Sequence, residues 1–169
     1  MVKPGDVFVL SGLLVHEGAW TYRELGSELH VPHAMVQRAL DRAARAGLYS
    51  ESERAVHLPN FEEFALHALR FVAPANLGPI VPGLPAAWAA VPLSELIRSS
   101  GTEPPPVWPA AQGRIVRGQA LDPLHPAAVD AAPERPELSE LLCLLDAIRA
   151  GDVRIRRVAT DLLSEQLAQ

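Results

Sequence analysis

The chain has little of what would make a secreted scaffold, a membrane protein or a metalloenzyme. A single cysteine, Cys143, excludes an internal disulfide and a cysteine-rich zinc site. It lies in the apolar run Leu141–Leu145, where a buried thiol is the expected state. Aromatic residues make up only 5% of the 169 residues, so the core must be built largely from Leu, Val and Ala. No apolar stretch is long enough to span a bilayer. The segment after Met1–Asp6 has no small-residue cleavage pattern, and a reducing, cytoplasmic setting is expected. The formal net charge of −5 has the wrong sign for indiscriminate coating of nucleic acid. A reader of specific sites needs positive charge only on its docking face.

Catalytic and cofactor motifs are equally scarce. There is no glycine-rich phosphate loop, no nucleophile elbow and no HExxH helix. Six histidines are scattered: His30 and His33 sit across a turn, His57 and His67 flank a helix boundary, and His16 and His125 stand alone. A zinc site needs three or four converging ligands at defined spacing, so surface or capping histidines are expected. The acidic pair Glu62-Glu63 follows Asn60 at a helix start, where negative charge suits the positive end of the dipole. The chain is therefore expected to be no enzyme, with no cofactor and no metal.

What is present divides into three textures: 1–72, 73–136 and 137–169. The first contains short helices with clear punctuation. Gly5 to His16 reads as a helix with Val7, Leu10, Leu13 and Leu14 on one face, stopped by Glu17-Gly18. Thr21 opens the next with Glu24 three residues on, a capping box in which each side chain satisfies the other's free backbone donor. Tyr22, Leu25, Gly26 and Leu29 form its inward face, and Gly26 allows close approach of a second helix. His30-Val31-Pro32 is the break. A third helix from Pro32 to Ala46 places Val36, Ala39, Leu40 and Ala43 inward, with Gly47 as left-handed cap and Leu48 folding back. Tyr49 to Leu58 then has the pattern of a short hairpin with a polar tip.

The stretch Thr21–Leu40, with the ending Arg45-Ala46-Gly47-Leu48, resembles the helix-turn-helix of MarR-type winged-helix repressors over about a quarter of the chain. The resemblance implies a mainly α fold with a small β-hairpin wing. It is a winged helix-turn-helix domain in 1–72, followed by an irregular Pro-rich segment and a C-terminal helical hairpin. It also implies a cytoplasmic transcriptional repressor that binds double-stranded DNA as a homodimer. Carried over by position, Pro32, His33, Ala34, Gln37 and Arg38 face the base edges, with Arg42 on the same basic helix. Gln37 has the chemistry for adenine and Arg38 for guanine or a phosphate. Thr21, Tyr22 and Arg23 open the preceding helix, where backbone donors favour phosphate. Arg54, the one cation of the wing, is assigned to the DNA backbone or minor groove. His33 leading the reading helix, Asp41 on its face, and Glu51 and Glu53 beside Arg54 depart from the family pattern. They leave open a second reading, a protein-interaction module such as an antitoxin-like or defence-system partner.

Beyond the hairpin, Asn60 to Val72 reads as a helix with Phe61, Phe64, Ala65, Ala68 and Val72 on one face. All but three of the sixteen prolines fall between Pro74 and Pro136. Ala73 to Val91 carries no charge yet holds Ile80, Val81, Leu84 and Trp88, unlike a disordered linker. An ordered, irregular segment is expected, one that wraps the protein or grips a partner. Pro92–Ile97 suggests a helical turn or two, Pro104–Pro109 a polyproline II strap, and Arg114–Leu121 a strand. A small-molecule pocket walled by Trp88 or Trp108 is conceivable. Glu137–Ala150 and Val153–Leu167 read as an antiparallel helical hairpin, with stripes that complete the monomer core or form a dimer seam. Arg154, Arg156 and Arg157 form the densest basic cluster, best read as a solvated helix face.

Overall fold

The computed structural model describes residues 1–169. The protein is mainly helical, with one two-stranded antiparallel sheet and one three-stranded sheet. In chain order the elements are α1 (Pro4–Val15), α2 (Tyr22–Leu29), α3 (His33–Arg45), β1 (Tyr49–Ser50), β2 (Ala55–Val56), α4 (Leu58–His67) and α5 (Leu69–Val72). There follow β3 (Ile80–Pro85), α6 (Leu93–Leu96), β4 (Pro106–Pro109), β5 (Val116–Ala120), α7 (Ala128–Ala131), α8 (Pro136–Ala150) and α9 (Val153–Leu167). No helix is long and apolar enough to cross a membrane.

The helix signals at the N-terminal end translate directly into structure. Thr21 caps α2: its hydroxyl accepts from the Glu24 N–H at 3.1 Å, and the Glu24 carboxylate accepts from the Thr21 N–H at 3.1 Å. At the end of α3, Gly47 takes φ +77° while the Leu48 N–H reaches back to the Ala43 carbonyl at 2.8 Å. That reach closes the helix and buries Leu48. β1 and β2 pair Tyr49 with Val56 and Ser50 with Ala55.

α1 and α8 differ from the expected one-sided helices. Every residue from Asp6 to Leu13 in α1 is buried, and so is every residue from Leu141 to Arg149 in α8. These are central helices surrounded by the rest of the chain, so a single apolar stripe understates them. α8 packs against α1, α5 and α9 within one molecule. It therefore completes the monomer core and is not available as a dimer seam.

The Pro-rich segment is ordered and closes on itself. β3 pairs antiparallel with both β4 and β5, and β4 pairs in parallel with β5. So tight a closure needs missing side chains. A Cβ on Gly83 would lie 2.3 Å from the Trp108 carbonyl oxygen, and one on Gly118 2.1 Å from that of Pro105. The expected polyproline strap is thus corrected: Pro106–Pro109 is a strand, with Val107 and Trp108 buried in the sheet and core. The expected helix Asn60–Val72 starts earlier, at Leu58, and is broken at Ala68. The break turns Leu69 inward and leaves Val72 exposed, against its expected place on the buried face.

Two buried charged groups hold the halves together. Asp146 in α8 accepts from the Trp108 indole N–H at 2.7 Å and from Arg149. Arg149 also donates to the Ala73 carbonyl at 2.8 Å and to that of Asp122. The entry to β3 and the exit from β5 are thereby tied to α8. Burial pushes the Asp146 carboxyl above its ordinary value, while Arg149 and the indole N–H pull it back. Cys143 lies in the same layer, where burial pushes its thiol up to about 12, as suits an inert core residue.

Candidate functional site

The residues named from the sequence lie on the helix pair α2–α3 and the hairpin that follows. The turn between the helices is built around Gly26. The Val31 N–H bonds the Gly26 carbonyl at 2.9 Å, and a Cβ on Gly26 would sit 2.8 Å from the Val31 oxygen and 3.2 Å from the His33 nitrogen. Close approach here is therefore between α2 and the turn backbone itself. His30 ends α2 in the left-handed conformation, φ +57°. Pro32 then serves as the N-terminal cap of α3, free of any helical donor duty.

With Val36, Ala39, Leu40 and Ala43 buried, α3 turns a continuous face outward. That face carries His33, Gln37, Arg38, Asp41 and Arg45, all exposed, with Ala34 half-buried at its centre. Thr21 and Arg23 are exposed at the start of α2, and Tyr22 is half-buried. Pro32 is exposed at the turn. The helix-turn-helix positions named from the sequence are therefore at least partly exposed, but two of the cations are engaged by the fold itself.

Arg42 is spent inside the fold. Its guanidinium makes a bidentate pair with Asp6 of α1, Nε to Oδ2 at 2.9 Å and Nη2 to Oδ1 at 2.8 Å. Asp6 is almost wholly buried, and its hydrogen bond holds Arg42 charged above its ordinary value. The pair fixes α3 against α1. Arg54 is likewise folded back. Its guanidinium lies 4.3 Å from the Trp20 ring centroid and 5.9 Å from that of Tyr22, and it donates to the Trp20 carbonyl at 3.0 Å. The Trp20 indole N–H returns a bond to the Arg54 carbonyl at 3.1 Å. Arg54 adopts φ +52°, so the hairpin tip is turned sharply onto the segment before α2. The cations of these elements without a hydrogen-bond or ion-pair partner are then Arg23, Arg38 and Arg45, and Asp41 and the hairpin acids Glu51 and Glu53 are exposed as well.

Sequence reasoning missed three of these residues. Trp20 anchors the hairpin to the start of α2 and packs edge-on against Tyr22 and Tyr49. Its one local signal is a large aromatic set between Gly18 and the capping Thr21. Arg45 belongs to the exposed face at the helical spacing Ala34, Arg38, Asp41, Arg45. Asp6 gave no signal, because its partner lies in another helix.

The remaining polar groups are structural. Glu28 bridges His16 at 3.0 Å and Arg135 at 2.9 Å, and His30 pairs with Glu134 at 2.9 Å. His57 caps α4 through the Asn60 N–H. Of the two tryptophans named as a pocket wall, Trp108 is buried in the core. Trp88 borders a cleft of about 270 Å³ shared with Ile97, Arg98, Arg154 and Ile155. Comparison of the chain with protein-family models, curated proteins and solved structures gives no match.

Proposed function

We propose that this chain is a sequence-specific, DNA-binding transcriptional regulator of the winged helix-turn-helix type, acting as a homodimeric repressor. The observation that carries this reading is the outward face of α3, where His33, Gln37, Arg38 and Arg45 stand free above a fully buried opposite face. A helix so presented, after a tight turn, fits the major groove. Gln37 offers the donor–acceptor pair that adenine requires, and Arg38 the fork that matches guanine O6 and N7. Thr21 and Arg23 at the start of α2 then meet phosphates, aided by free backbone donors.

The charge arithmetic sets the expected strength. Three free cations per protomer neutralise about six phosphates in a dimer, giving a slope of log K against log salt of about −5. The experiment is a salt titration of binding to the duplex upstream of the chain's own coding region, with random duplex as competitor. Preference for the upstream duplex together with that modest slope supports the reading. Equal binding to both, or none at low salt, overturns it.

One observation favours a second reading. Arg54 is held over Trp20 while still exposed, and Glu51 and Glu53 outnumber it at the hairpin tip. A tip that repels phosphate suits a protein-interaction module whose partner is basic. Absence of duplex binding with retained binding to such a partner identifies this alternative.

A further inference from the structure

His16 closes the end of α1 with both ring nitrogens committed to oxygens that can only accept. Nδ1 lies 3.0 Å from Glu28 Oε2, and Nε2 lies 3.1 Å from the Ala19 carbonyl oxygen. Glu28 is ionised here, because its other oxygen takes Arg135 at 2.9 Å. A neutral imidazole has one donor and one acceptor, so it cannot serve two such partners at once. The form that fits is the imidazolium, and its side chain is only 10% exposed. The charged groups around it are Glu28 of α2, Arg135 at the start of α8, and Arg54 of the hairpin, which lines the same cleft. The bond to Glu28 raises the ring's pKa against the opposing effects of burial and Arg135.

The Ala19 bond matters because little else holds its segment. Residues 17–20 make no backbone–backbone hydrogen bond. Their carbonyls accept only from His16, at Ala19, and from the Arg54 guanidinium, at Trp20. The buried Trp20 ring completes the tether, its indole N–H donating to the Arg54 carbonyl at 3.1 Å. We infer that His16 is a pH-operated latch on the hairpin. Doubly protonated, it ties Ala19 to Glu28 of α2. On losing the Nε2 proton to water it keeps the charge-assisted bond to Glu28 and leaves two lone pairs facing each other at Ala19. The Ala19–Trp20 segment then loosens, and with it the Trp20–Arg54 contacts that seat the hairpin against the start of α2. The latch is closed below the folded pKa of His16 and opens above it, so the change falls above pH 6.5. It operates whether or not the outward face of α3 binds duplex.

The test is an NMR titration of the isotope-labelled full chain from about pH 5.5 to about pH 9, following the His16 ring nitrogens and the Trp20 indole N–H. Both ring nitrogens are expected to carry protons at the acid end. The Trp20 indole resonance should shift with the midpoint of His16, and the nuclear Overhauser contact between the Trp20 ring and the Arg54 side chain should weaken above it. In His16→Gln the Trp20 resonance should hold still across the range. In Glu28→Gln the His16 midpoint should fall by at least about one pH unit, and the Trp20 shift should follow it. A His16 ring already neutral at about pH 5.5 overturns the proposal. So does a Trp20–Arg54 contact that is unchanged through the His16 titration, or a Trp20 shift that persists in His16→Gln. The wild-type curves alone decide the first two outcomes, whatever the variants do to folding.

Discussion

Arg38 and Arg42 stand four residues apart on α3, carry the same charge and are assigned opposite tasks by their surroundings. Arg38 is exposed, and its loss removes nothing that the fold needs. Arg42 neutralises Asp6, which has no other charge partner and lies buried beside it. Replacing Arg38 by Ala is therefore expected to leave the thermal midpoint unchanged and to cost roughly 1–3 kcal/mol of duplex affinity, confined to a subset of base positions. Replacing Arg42 by Ala should instead cost on the order of 3 kcal/mol of folding stability, read by urea titration, because it strands a buried carboxylate. Two histidines show the same dependence on surroundings. The hydrogen bond that His16 donates to the Glu28 carboxylate raises the His16 pKa above 6.5, and burial against Phe8 lowers that of His125 below it. A raised folded value means that the His16 contribution is complete below the unfolded value and is lost as pH rises through the folded one. His125 works in reverse, its cost appearing as pH falls below its unfolded value. Comparing thermal midpoints of wild type and His16→Gln isolates the first: the gap should be wide near about pH 5.5 and closed by about pH 8.5. A gap that is constant with pH contradicts this assignment.

At the scale of elements, Thr21 to Leu48 was legible because its determinants are local. A capping box, a Pro after a left-handed residue and a glycine cap each act within a turn of the chain, and the periodic apolar positions agree with them. The outward face of α3 follows from that periodicity. What could not be read was which of its arginines another element claims, since Asp6 and Trp20 approach only in three dimensions. Of the strands of 73–136, β5 falls within the strand read at Arg114–Leu121, while β3 and β4 were hidden for the same reason. β4 includes Pro106 and Pro109, poor strand formers whose place is set by pairing with β3 and β5, far away in sequence. Gly26 tests how much of the site depends on the turn rather than on the helices. Its missing Cβ lets the Val31 carbonyl and the His33 backbone close in. Gly26→Ala must push the start of α3 outward, with an expected cost of roughly 1–3 kcal/mol in stability. Duplex affinity should fall further than stability alone explains, because His33, Gln37 and Arg38 move with the turn. Equal affinity for wild type and variant would mean that the turn does not set the reading face.

Across the whole molecule, one core runs from Val7 to Leu163 through all three sequence textures. Around it, polar ties join the halves: Glu28 with Arg135, His30 with Glu134, and the Trp108–Asp146–Arg149 group that fastens the three-stranded sheet to α8. So shared a core should unfold in a single transition, with far-UV signal and tryptophan fluorescence following the same denaturant curve. The buried group is where this cohesion is most exposed to mutation. Asp146 and Arg149 are both almost inaccessible, with side-chain exposures of 1% and 4%. Asp146→Ala leaves the guanidinium buried without a counter-charge and the indole N–H without an acceptor, and should cost about 3–5 kcal/mol. Adding Arg149→Met removes the stranded charge, so the double variant should regain part of that loss and show a favourable coupling in the cycle. If the two losses simply add, the pair is not acting as a pair. If the double variant also splits the unfolding curve into two steps, the ion pair is what makes the halves one cooperative unit.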